Sequence, residues 1–125
     1  MTGYILIFLG GGLGASLRYL FTVLSYKHFD VNYPVGTFIV NIIGCLFIGF
    51  IMALIITKTH IINNNLKLFL TVGLAGGFTT FSTFSYESLT LLKNGHVLTS
   101  IIYMTLSPLV CLGAVYLGTF FAKYL

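Results

Sequence analysis

Residues 73–85 read GLAGGFTTFSTFS: three glycines (Gly73, Gly76, Gly77), then five hydroxyl side chains (Thr79, Thr80, Ser82, Thr83, Ser85) interleaved with Phe78, Phe81 and Phe84. Taken as a helix, the three rings share one side, Thr79, Ser82 and Ser85 the next, and Thr80, Thr83 and Glu87 a third, so no face is left for lipid. Each glycine weakens a helix by about 1 kcal/mol relative to alanine, and the cluster predicts a break. A break inside a membrane is tolerated only where protein buries the freed backbone or an ion uses it. The stretch therefore reads as a pore wall and an ion site together.

The membrane itself follows from composition. The chain is 58% hydrophobic and 6% charged with a mean hydropathy of +1.04, a surface that a soluble domain of 125 residues does not carry. Four apolar stretches, 4–25, 35–57, 66–92 and 97–122, each reach the ~20 residues that cross a hydrocarbon core of ~30 Å. The polar segments between them, 26–33, 57–67 and 93–96, are too short to be domains. The prediction is an all-α integral membrane protein, residues 1–125 forming a single domain of four transmembrane helices, the third broken near the midplane. No Lys or Arg precedes the first stretch and three more follow it, so it reads as a spanning helix rather than a signal peptide. GGGLGA (10–15) fits the loose dinucleotide pattern but lacks the strand that motif requires; Gly10 and Gly14 read better as a small-residue helix contact.

Charge adds information about orientation. With four spans, Lys58, Lys67 and Lys123 fall on one side and Lys27 and Lys93 on the other, and Arg18, late in the first helix, evens the balance by snorkelling. A chain without a clear basic excess on one side can insert either way up, so dual topology with an antiparallel dimer is the sharper expectation, and orientation by the three-to-two bias or by a partner is the plain alternative. The net charge of +4 is scattered over the loops and makes no patch for nucleic acid. One Asp, one Glu and three loop-located His provide no triad or metal cluster, and the chain is not expected to be an enzyme.

Polar groups inside the spans are functional candidates, because each needs a partner or a wet cavity. Thr37, Asn41 and Gly44 share one face of the second helix, and Asn41 is its only side-chain amide. A lone Asn that fixes helix register is the plain alternative. In the fourth helix Thr99, Tyr103, Ser107 and Cys111 recur every four residues, forming a polar stripe, and Pro108 removes an amide beside Ser107. Back-bonding of each hydroxyl to its own helix is the plain alternative here. Cys45 and Cys111 both fall within spans and are read as free thiols, since a bridge needs facing positions at matched depth.

GGLGASLRY (11–19), GTFIVNIIG (36–44) and GGFTTFSTFSYE (76–87), in this order, closely resemble the small bacterial fluoride channels of the Fluc or CrcB family. The resemblance spans essentially the whole chain. It implies an antiparallel dual-topology dimer, with a second copy or a related subunit, and two fluoride pores at the interface. It also implies a multi-pass protein of the bacterial plasma membrane that lets fluoride leave the cell passively and so confers fluoride resistance. By position, Asn41, Phe81 and Phe84 match the residues that contact fluoride, Tyr103 and Ser107 the polar track, and Thr83 a neighbour of the rings. Cys111 stands where the track usually continues with serine, and a thiol is a weaker donor than a hydroxyl. The carbonyls of Gly76 and Thr79 match a central structural sodium site. Arg18 and Glu87 match a basic residue of the first helix and the acidic end of the third-helix motif; Thr37 and Ser82 are further candidates.

The chemistry suits the ion. Fluoride is tightly hydrated, so a pore must replace its water with short N–H and O–H donors without a fixed cation that would hold it, and aromatic ring edges are electropositive. A dual-topology proton-coupled exporter of small molecules is the alternative, but its only candidate carboxylate is Glu87, toward one end of the third helix. A non-transporting assembly factor leaves the hydroxyl track without a purpose.

Overall fold

The computed structural model describes residues 1–57 and 62–124; Lys58, counted in the charge balance, lies outside them. The first two spans are α1 (Thr2–Tyr26) and α2 (Val35–Thr57). The third, Asn64–Lys93, is composite. It comprises α3 (Asn64–Leu68), a π-helical stretch (Phe69–Ala75), α4 (Gly76–Phe78) and, after two extended residues, α5 (Phe81–Lys93). The last span is α6 (Val97–Ala122). All four spans are long and apolar enough to cross a membrane. Asn63 starts the third by accepting the Leu66 amide on its side chain at 2.8 Å. Gly95, at φ +83°, makes the left-handed turn into α6.

The chain stays helical through Gly73, Gly76 and Gly77 and leaves the helix only at Thr79 (φ −79°, ψ 154°) and Thr80 (φ −149°, ψ 120°). Packing explains the glycines: a Cβ at Gly10 would meet the Phe69 carbonyl and the Gly73 Cα, one at Gly14 the Leu74 carbonyl, and one at Gly77 the Gly11 carbonyl. Glycine on both partners lets α1 lie backbone to backbone along the first half of the third span. α2 and α6 are parallel and equally close, for a Cβ at Gly49 would strike the Val115 carbonyl and one at Gly118 the Leu46 carbonyl.

Side chains pack on these seams and little elsewhere. Val40 and Ser100 are fully buried, and the Ser100 hydroxyl ties α6 to α5 by donating to the Ser88 carbonyl at 2.8 Å. Phe8, Leu98, Leu109, Leu112 and Tyr116 are more than two-thirds exposed, the distribution of a bundle whose solvent is hydrocarbon rather than water.

Candidate functional site

The two extended residues are held by a side chain from another span. Thr80 donates its amide to Asn41 Oδ1 at 2.8 Å, and Asn41 Nδ2 returns a hydrogen bond to the Thr80 carbonyl at 3.1 Å. The amide group thus pairs with one residue's backbone much as a neighbouring strand does. It also diverts the Thr80 amide from the Gly76 carbonyl, its ordinary partner four residues back in a continuing helix. An Nδ2 group carries two protons, and one is committed here.

Thr80 then starts α5. Its Oγ1 accepts the Thr83 amide at 3.2 Å, an N-cap, and contacts Thr83 Oγ1 at 3.1 Å and Ser82 Oγ at 3.3 Å. The hydroxyls of the opening stretch therefore divide by role. Thr79 and Ser85 back-bond, to the Ala75 and Phe81 carbonyls at 2.9 Å each. Thr80, Ser82 and Thr83 form a cluster at the helix start.

Beside this junction lies a cavity of about 240 Å³, lined by Asn41, Cys45, Thr79, Thr80, Phe81, Phe84, Ser107, Pro108 and Cys111. Three spans meet there. The Phe81 and Phe84 rings are 5.5 Å apart, and Phe81 is 78% exposed, so its edge is free on the chain's surface. Ser107 is buried, and among the described residues no group accepts its hydroxyl, in contrast to Thr105 and Thr119 on the same helix, which bond their own backbone. Donor capacity is thus left at the cavity wall by Ser107 and by the second Asn41 proton.

A second layer sits one turn away. Glu87 Oε1 accepts from Thr37 Oγ1 at 2.7 Å and Oε2 from Tyr103 OH at 3.0 Å. The Tyr103 ring packs on Phe84 at 5.0 Å and on Phe38 at 6.5 Å. Glu87 also lines a cavity of about 180 Å³ at the end of the bundle, with Tyr26, Tyr33, Tyr86 and Asn94 among its walls. One chain of contacts, Glu87 to Tyr103 to Phe84, thereby joins the two cavities.

Of the residues singled out from sequence, Asn41, Thr79, Phe81, Phe84, Ser107 and Cys111 share the first cavity, and Thr37, Glu87 and Tyr103 form the second layer. Arg18, Gly76, Ser82 and Thr83 do not line the first cavity. Thr80 and Cys45 were missed. Thr80 carried a usable signal, a hydroxyl residue after a glycine-weakened stretch and three before Thr83; Cys45 carried none, since its place depends on how α2 and α6 align.

Fold and site define a small integral membrane protein of four spans, three of which line a donor-bearing cavity. Residues 5–119 match the family described as CrcB-like protein, Camphor Resistance (CrcB). The chain is 57% identical over 95 residues to a fluoride-specific ion channel FluC of Phocaeicola vulgatus, covering 76% of this chain and 77% of that one. It is 43% identical over 119 residues to the protein of the same name from Flavobacterium psychrophilum, covering 95% of each chain. With that of Aquifex aeolicus it shares 42% over 113 residues, 90% of this chain and 85% of the relative. The chain belongs to the CrcB family and is a multi-pass bacterial membrane protein, not an enzyme.

Proposed function

We propose that this chain is a fluoride-selective channel through which the anion leaves the cell passively, with two pores at the interface of an antiparallel dual-topology dimer. The observation that carries the reading is the composition of the first cavity: an amide proton of Asn41, the unengaged hydroxyl of Ser107 and the ring edges of Phe81 and Phe84, with no cationic side chain among the described residues that line it. Neutral donors and positive ring edges replace the water of a small anion without trapping it. Phe81 stands 78% exposed at the cavity's edge, a ring that a second copy covers when the dimer forms. Glu87 offers an approaching anion little bare charge, since each oxygen already accepts a hydroxyl. The same double occupation leaves it poorly suited to exchange protons with a transported substrate.

A sodium ion at the dimer centre belongs to the same proposal. The Gly76 carbonyl fits it, because the amide that would bond it in a continuing helix goes to Asn41, and Gly76 is exposed. Thr79, extended where α4 ends, turns its carbonyl off the helix axis. Hard cations take oxygen ligands of this kind; such an ion supplies positive potential near the pores and a bond between the subunits.

The test is fluoride efflux from liposomes that contain only the purified chain, followed with a fluoride electrode. Flux of fluoride with chloride retained supports the reading, and equal passage of chloride overturns it.

A further inference from the structure

Cys45 and Cys111 are the chain's two cysteines, and both are free and half-buried. Two contacts on either side of them define how α2 lies along α6. Phe38 packs on Tyr103, 65 positions later, and Gly49 abuts Val115, 66 positions later. Cys111 follows Cys45 by 66 positions, so the thiols lie at one depth on facing helices. Both line the 240 Å³ cavity. The other lining residues, Asn41, Thr79, Thr80, Phe81, Phe84, Ser107 and Pro108, include no carboxylate, imidazole or amine.

We propose that Cys45 and Cys111 form a two-coordinate site for a soft cation such as mercury(II), silver(I) or copper(I), and that filling it closes the pore cavity. Softness is set by the donors, since thiolates favour these ions over hard ones. Coordination number is set by what else is near: among the described residues no three His, Cys, Asp or Glu come together, so the four ligands of structural zinc are not available. With mercuric chloride the balance is simple. Two S–H bonds and two Hg–Cl bonds break, two Hg–S bonds form, two protons and two chlorides leave, and no electron is transferred. The product occupies the cavity wall one turn beyond Asn41 and Ser107, in the cavity where the transported anion is proposed to pass. The blocking part of the inference rests on the channel reading; the binding part does not.

Purified full-length chain is titrated with mercuric chloride, and metal retained after desalting and protons released are both counted. One metal and two protons per chain are expected, resistant to a competing monothiol. Cys45→Ala and the size-preserving Cys45→Ser, and likewise Cys111→Ala, should each weaken retention by roughly a hundredfold, the loss expected when a chelate becomes a single contact. Two metals per chain, or single-cysteine variants that hold the metal as tightly as the parent, overturn the site. In liposomes each protein's fluoride flux is normalised to its own metal-free value. The parent should lose flux at one equivalent and regain it with a dithiol, while Cys45→Ala does not respond at that dose. Tight binding with undiminished flux overturns the blocking part. Absence of flux in metal-free protein instead overturns the channel reading and leaves the binding result to stand or fall on its own counts.

Discussion

Asn41 and Thr80, 39 positions apart, exchange two hydrogen bonds, side-chain amide against backbone. The partnership makes one residue responsible for two things, the shape of the chain between α4 and α5 and a donor at the cavity wall. Asn41→Asp keeps an acceptor for the Thr80 amide but removes both Nδ2 protons and, when ionised, repels an anion. Fluoride flux should fall by about tenfold or more, a barrier increase of ~1.4 kcal/mol. Parent-like flux from a correctly folded Asn41→Asp protein would remove Asn41 from the conduction path.

Phe81→Ile roughly keeps bulk and discards the ring edge. The expected outcome is reduced conduction with unchanged migration on size-exclusion chromatography. A protein that runs as a monomer would make Phe81 a packing residue at the subunit contact rather than a lining of the pore.

Thr37 and Tyr103 both donate to Glu87, so their effects should not add. Thr37→Val and Tyr103→Phe each remove one charge-assisted bond, worth about 1.5–3 kcal/mol, and the double variant should differ from the sum by at least ~0.5 kcal/mol in denaturant titration. Strict additivity would mean that Glu87 does not couple the two spans.

Passive transport has a thermodynamic signature. Each 100 mV is worth ~2.3 kcal/mol per charge, so clamping liposomes with potassium and valinomycin should bring fluoride to the distribution set by voltage alone. A pH gradient that drives the ionic form past that distribution, after correction for leak of the neutral acid, would replace the channel with a coupled exchanger.

Much of this was legible in the chain itself, and the boundary between legible and hidden has a physical cause. The spans read as 35–57 and 97–122 coincide with α2 and α6, because apolar length is a local property. The expected contact at Gly10 and Gly14 is present, since small residues four apart carry their own geometry. The departure from helix was read from Gly73, Gly76 and Gly77, whereas the extended residues are Thr79 and Thr80; Gly73 and Gly77 serve the contact with α1, and the Thr80 conformation depends on an amide from another span. Cys45 and Cys111 were read as free thiols, and they are free; that both line one cavity was hidden, because alignment of α2 with α6 is decided by Gly49 and Gly118 rather than by anything near the thiols.

The π-helical stretch Phe69–Ala75 acts as a phase adjuster. Wider winding shifts the angular position of every later residue relative to an unbroken α-helix, and such insertions are often found near functional sites. Side-chain chemistry within the stretch therefore matters less than residue count. Val72 is 54% exposed and lines neither cavity, so Val72→Ala should be tolerated, whereas inserting a residue beside it, which the already widened turn does not absorb, should turn Thr79 and Thr80 by about 100° away from Asn41. Loss of flux on insertion but not on substitution would show that the pore is timed by the number of residues in this turn, so that length, rather than composition, is the constraint that any variant of the segment has to respect.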